Sequence, residues 1–384
     1  MTNRERVKAI LHYEDCDRLP IVHFGYWRET LRKWADEGHI AREQAEGWAD
    51  GNVIDLELSR MLGFDFNWYS NFHTANGILP GFECEVVAEF PDGSKHVRDG
   101  NGVVVLQKPG AHGIPPEIGH TLKDRASWEE HYKHRLRFSS ERVDEALVNT
   151  GRDMVPFNAG GKEFLQSDDR DFHYGLFVGS LFGQIRDWLG VENTAYLYAD
   201  DPDLFREIID TSAELRFECA KYVLETGAKF DFAHFWEDIC FKNGPLVSPS
   251  VFNEFVGPHY KRLTELVAGY GIDIVSVDCD GWIDSLIPTW LENGVNTMFP
   301  IEVGTWNASI APWREQYGKE LRGVGGMRKY VFAQDRVAVD AEVERLKPLV
   351  GLGGYIPCPD HRIAPDAEWD NVRYYCDKMH RELS

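Results

Sequence analysis

The chain carries two hydrophobic periods in alternation. Residues 201–227, "DPDLFREIIDTSAELRFECAKYVLETG", repeat apolar positions every three to four residues and predict a long amphipathic helix. Between such stretches lie short apolar runs: "KFDFAHFWEDI", "GIDIVSVDCDG", "GVNTMFPIEVG", "LRGVGGMRK" and "GGYIPCPDH". Gly227, Gly271, Gly294 and Gly353 close the preceding helical stretches and fit C-cap positions. From about residue 151 onward this predicts a parallel sheet covered by helices. The start, "TNRERVKAILHYED", predicts a helix capped by Thr2 or Asn3, with Val7, Ile10 and Leu11 on one face. "DRLPIVHFGYW" follows as a buried strand from Leu19 to Phe24. Residues 82–107 differ: the turn signals "PDG" and "DGNG" separate three β-rich runs and predict an antiparallel meander outside the main array. A charge-rich helical segment is expected around "DRASWEEHYKHRL".

Composition narrows the function classes. The 384 residues contain 41 Lys and Arg against 63 Asp and Glu, a formal charge of −22, and no basic run. A nucleic-acid backbone is therefore not an expected partner. No run of 18 apolar residues occurs, and the opening residues lack a secretory pattern, so no membrane association or leader is expected. Seven cysteines, odd in number and without CxxC spacing, fit reduced thiols in the cytoplasm.

The candidate chemistry lies where the short runs end. "IVSVDCDG" turns from a β-branched run to Asp278, Cys279, Asp280 and Gly281. Other runs exit at Glu237 and Asp238, at Glu302, at Arg328 and Lys329, and at Cys358, Asp360 and His361; the first strand adds His23. Parallel β/α folds bind ligands at the carboxyl ends of their strands, and a closed barrel brings those ends to one mouth. Asp278 and Asp280, two apart on a strand, face the same way and repel unless a cation lies between them. Asp, Glu and His suit zinc or a harder divalent ion, but no compact metal motif is present, and Arg328 could equally be the cation. The bland reading of each residue is a helix cap, a solvated charge or a packed side chain. Cys279 on its own is expected to pack.

Several stretches resemble the uroporphyrinogen decarboxylase superfamily, in the branch of corrinoid-linked methyltransferases. They are "NRERVKAILHYEDCDRLPI", "SLFGQIRDWLGVENTAYLYADDPDL", "WEDICFKNGPLVSPSVFNEFVGPHYKRL" and "GGYIPCPDHRIAPDAEWDNVRYY". The resemblance implies an α/β fold: a single distorted (β/α)8 TIM barrel over residues 1–384, with an N-terminal helical segment and the β-meander as an insertion. True decarboxylases of the family carry an Arg-Gln-Ala-Gly-Arg motif whose arginines hold porphyrinogen carboxylates. The matching stretch here, "HFGYWRET", keeps one arginine, Arg28. Coenzyme-M-type methyltransferases bind zinc through His-x-Cys and a late Cys; "VDCDG" puts Asp278 and Asp280 at the first two positions, and "HRIAPD" puts His361 at the third.

That harder ligand set resembles the demethylating partner in such systems. It implies transfer of a methyl group from a methoxylated, aromatic substrate to cob(I)alamin carried on a separate corrinoid protein. The expected catalytic residues are His361, Glu237 and Asp280, with Glu237, Asp278, Asp280 and His361 either ligands for Zn2+ or a hydrogen-bonded acid cluster. The expected substrate-binding residues are His23, Tyr26, Trp27, Trp236, Glu302 and Arg328. Carboxylates around His361 are expected to raise its pKa so that it donates a proton to the leaving oxygen. Expected partners are the corrinoid protein, a small-molecule methyl donor and a second copy in a homodimer. The alternatives are a decarboxylase or other lyase acting on a small carboxylate through Arg28, Arg328 or Lys329, and a non-catalytic binding barrel.

Overall fold

The computed structural model describes residues 1–111 and 113–383. Seven strands form one continuous parallel ladder, in the order Tyr355–Pro359, Arg322–Met327, Thr297–Ile301, Val275–Asp278, Phe232–Trp236, Gly175–Gly179 and Asn71–Phe72. Val22–His23 pairs in parallel with Phe66–Asn67, from which the chain runs directly into Asn71–Phe72. A parallel bridge between Tyr26 and Ile363 then ties the exit of the first strand to the exit of the last. Strand positions thus follow chain order around a (β/α) barrel, as the strand–helix alternation predicts.

The helices obey local rules. Thr2 caps Asn3–Leu11 in a capping box with Glu5, and Val7, Ile10 and Leu11 are buried. Asp201 caps the 24-residue helix Pro202–Glu225, with proline at its first turn. Gly227, Gly271, Gly294 and Gly353 all have positive φ, as C-cap glycines should. The meander is larger than its turn signals indicate. It has four antiparallel strands, Glu85–Glu89, Lys95–Arg98, Val103–Gln107 and Glu117–His120. Helical turns follow from Arg125 to Leu136. Among the described residues no helix is long and apolar enough to cross a membrane.

Aromatic side chains fill the barrel. Trp68, His173 and Phe232 stack near the amino ends of the strands, at ring separations of 4.6–5.3 Å. Phe24, Tyr69, His234 and Phe299 form the next layer. This plug makes the barrel a packed core, open for chemistry at its carboxyl end.

The amino end is closed by charge. Asp231 is buried and accepts from Arg4 Nε at 2.6 Å, Arg170 Nη2 at 3.0 Å and the Tyr174 backbone N–H at 3.0 Å, with Lys8 Nζ at 2.8 Å. It ties the N-terminal helix to the sheet. Burial pushes this carboxyl up, but His173, Arg170 and Lys8 pull it further down, to below its ordinary 3.8. His173 is itself driven to about 3 by burial and is neutral near pH 7, so the pull at that pH comes from the arginines and the lysine.

Asp231→Asn should cost about 3 kcal/mol in chemical denaturation, because it strands buried guanidinium groups. The sign of the pH dependence follows. A carboxyl with a lowered folded pKa contributes fully above its unfolded value and loses that contribution as pH falls through the folded one. The wild type should therefore weaken in acid below about pH 4 more than the variant does.

Candidate active site

Both faces of a parallel barrel strand are buried, one against the plug and one against helices. On Phe232–Trp236 the even residues face inward: Phe232 packs on Trp68 and His234 on Phe299. The odd residues face the helices, with Phe235 stacked 4.0 Å from Tyr260. Glu237 continues the outward row. Its carboxylate accepts from Leu181 N at 3.0 Å, Gly183 N at 2.5 Å and Tyr260 Oη at 2.6 Å. Glu237 is therefore not part of the mouth, contrary to the expectation for it as catalytic residue and ligand; its oxygens are consumed in docking two helices. Asp238 takes the place. It continues the inward parity at a φ of 46°, a left-handed conformation that Asp tolerates and that ends the strand there.

Asp238, Asp278 and Asp280 present carboxylate oxygens within 4.8 Å of one another. Trp236 pairs across the ladder with Asp278. The Asp280 backbone N–H donates to Asp238 Oδ1 at 3.0 Å, locking the two loops together. Gly281 turns the chain away at a φ of 90°, where a Cβ would lie 2.5 Å from the Cys240 carbonyl oxygen. The Gly281 N–H donates to Glu302 Oε2 at 2.5 Å, and Thr305 Oγ1 donates to Glu302 Oε1 at 2.9 Å. His361 Nε2 lies 3.2 Å from Asp280 Oδ2. Trp27 stacks on the His361 ring at 5.8 Å and Phe24 meets it edge-on at 5.3 Å. The structure thus gathers Asp278, Asp280, His361, Trp27, Trp236 and Glu302 around one opening. Cys279 points the other way, buried, with the Ile239 N–H 3.4 Å from its sulfur.

Three further expectations are corrected. His23 is fully buried on the helix side, its Nε2 2.8 Å from Ser59 Oγ and its Nδ1 accepting from Gly25 N at 2.9 Å. Tyr26 is buried beneath Trp34 and Trp48. Arg328 turns to the buried Glu342, 3.6 Å away. In each case the neighbouring residue faces the barrel axis or mouth instead: Phe24, Trp27 and Lys329. Sequence reasoning also missed Tyr69, His73 and Arg362. Tyr69 and Arg362 both act on the Asp278 carboxyl, and His73 stacks on Phe177 at 4.3 Å. The alternating aromatics of "FDFNWYSNF" were the available signal for the Phe66–Phe72 strand segment.

The electrostatics of the mouth are those of crowded acids. Burial, then the charge of Asp280, pushes Asp238 up to about 7. Burial lifts Asp280 to about 6, against the pull of Lys329. Asp278 is raised well above its ordinary value too, by burial and by both other carboxylates. His361 moves opposite to expectation. Burial, then Lys329, lowers it to about 4, and Glu302 and Asp238 do not offset this. Its imidazole is neutral near pH 7.

A divalent cation fits this set. Asp278 Oδ1 and Asp280 Oδ1 are buried without a hydrogen-bond partner, and a neutral imidazole stands beside them. Asp238, Asp278 and Asp280 would supply three oxygen ligands, and His361, beside Asp280 but outside that converging trio, is the nitrogen nearest to them.

The family model described as uroporphyrinogen decarboxylase (URO-D) matches residues 181–382, more than half of the chain. Among solved structures, a methyltransferase from Methanosarcina mazei is 15% identical, with 100% of both chains covered and a TM-score of 0.58. At this identity the likeness speaks to the fold. A B12-independent methionine synthase from Shewanella sp. W3-18-1 is 12% identical, covering 95% of this chain and 99% of its own, at a TM-score of 0.44. No curated protein matches the sequence.

Metal-free protein should lose stability as pH rises from about 4 to 7. Asp238 and Asp280 keep protons in the fold that the unfolded chain releases near 3.8, so the unfolded state binds fewer protons over that range. Asp238→Asn, measured by thermal unfolding in a chelator at pH 8, should gain about 1 kcal/mol, or roughly 2 °C. The same variant should lose most of the Zn2+-induced stabilisation seen in the wild type. A wild-type transition that added Zn2+ leaves unmoved would refute the ligand set.

Proposed function

This chain belongs to the uroporphyrinogen decarboxylase (URO-D) family, and from that premise we propose that it is a methyltransferase, taking a methyl group from a methoxylated aromatic donor and delivering it to cob(I)alamin on a corrinoid protein. The observation that carries the reading is the set Asp238, Asp278, Asp280 and His361 at a mouth walled by aromatic rings. Cob(I)alamin brings the nucleophile, so no thiolate or serine is required of this chain. The packing of Cys279 away from the mouth agrees with that.

In the transfer, the O–CH3 bond breaks as the cobalt–carbon bond forms, and the oxygen leaves with the electron pair. A phenolate or alkoxide is a poor leaving group, and a divalent ion at this set would supply Lewis-acid stabilisation of it. The side chains have their own tasks. Trp27 and Trp236, both partly exposed, offer aromatic surface to hold a ring. Trp27 and Phe24 fix the His361 imidazole, so one nitrogen keeps its place beside Asp280. The Asp280 N–H to Asp238 bond holds the two acidic loops in register before any ligand arrives. Without an ion the trio has a different role: Asp238, pushed up to about 7, then holds a proton that it can donate to the departing oxygen.

A decarboxylase or other lyase working on a carboxylate is the weaker reading. Arg28 is half exposed and lies 3.8 Å from Glu46, and Arg328 is given to Glu342. Two of the three cations expected to hold a carboxylate are thus engaged elsewhere, and the third, Lys329, shares its charge with Asp360, Asp280 and Glu302.

Mixing the protein with a corrinoid acceptor reduced to cob(I)alamin and a panel of methoxyaromatics should convert the cob(I)alamin spectrum to that of methylcobalamin. Asp280→Ala and His361→Ala should each lower turnover by ~10²-fold or more while remaining folded. Cys279→Ala should be close to wild type. Carbon dioxide release without a spectral change would favour the lyase, and inactivity confined to Cys279→Ala would discard the acid cluster.

A further inference from the structure

Every arginine near the mouth is already spoken for. Arg362 forms a fork with Asp50, at 3.0 and 2.6 Å. Arg186 holds Asp187 at 2.6 Å and lies over the Trp236 ring. Arg28 and Arg328 pair with Glu46 and Glu342. The Lys329 ammonium forms no ion pair within 4.0 Å among the described residues, though its backbone N–H donates to Asp360 Oδ1 at 3.3 Å, and its charge is shared by Asp360, Asp280 and Glu302. No guanidinium fork is left to receive a carboxylate in the bidentate way that makes such recognition strong.

The opposite charge is in excess. Asp238, Asp278 and Asp280 converge, and Glu302 and Asp360 adjoin them. Even with a divalent ion held by the trio, three carboxylates outnumber its two charges. Asp278 is 2% exposed and its Oδ1 has no hydrogen-bond partner, which leaves it for a cation. Trp27, Trp236, Tyr69 and Phe177, all partly exposed, complete the wall. Aromatic faces attract cations and tolerate neutral rings. We infer, on the basis of the methyl-transfer reading above, that the mouth admits methyl donors whose ring carries a neutral or cationic substituent and discriminates against donors bearing a carboxylate.

Three ligands of one shape test this by calorimetry on the full-length, Zn2+-treated protein: 4-hydroxy-3-methoxybenzoate, its primary amide, and the corresponding benzylamine. At low salt the amide and the amine should bind at least ~10-fold more tightly than the benzoate. The gap should narrow at about 0.5 M salt. It should narrow also in Glu302→Gln, and in Asp360→Asn should the first variant not fold. A benzoate that binds as tightly as the amide overturns the inference, as does a series in which nothing binds. Calorimetry needs no corrinoid, so it is independent of whether transfer occurs. Methyl transfer from the benzoate at the kcat/KM of the amide would overturn the charge preference and leave the methyltransferase reading intact.

Discussion

Three carboxylates held within 4.8 Å of one another must be kept there against their own repulsion. The parallel ladder does this. Asp278 ends a strand whose register with Trp236 is fixed by backbone hydrogen bonds, and Asp280 and Asp238 are joined by a main-chain N–H. The side chains do not choose their position; the strands impose it. The repulsion then shows as carboxyl groups that hold their protons to higher pH. Stability has been given up at this point, as is usual where a fold is arranged around a ligand or a reaction.

The two ends of the barrel solve the same problem in opposite ways. At the amino end, one buried carboxylate, Asp231, is met by Arg4, Lys8 and Arg170. The charges balance, and the interaction binds the N-terminal helix to the sheet. At the carboxyl end, the acids outnumber the cations within reach, and two of their oxygens have no partner at all. Between the ends lies the aromatic plug. The excess of acid beside these rings is what the proposed site rests on.

Much of this was legible along the chain. The strand–helix alternation, the C-cap glycines, the N-terminal capping box and the turn signals of the meander are local features, set within a few residues. The polar residues at the strand exits were legible too, because an abrupt run of charge after β-branched residues marks a strand end. The Phe66–Phe72 segment and Gly175–Gly179 were not assigned as strands. Each is short, and each reaches its neighbour across a long intervening stretch.

What the chain could not state was which of two neighbours turns inward. In an antiparallel sheet with one wet face, alternation of apolar and polar residues tells the faces apart. Here both faces are dry, so "FAHFWED" and "LPIVHF" look the same from either side. The expectation chose Glu237, His23 and Arg328; the structure turns Asp238, Phe24 and Lys329 toward the barrel axis and mouth, and gives the first three to Tyr260, Ser59 and Glu342 on the surrounding helices. Sequence by itself determined where the strands end and that charge gathers there. Tertiary structure alone decided which side chains share the mouth, because that depends on strand parity and on partners that come from distant parts of the chain.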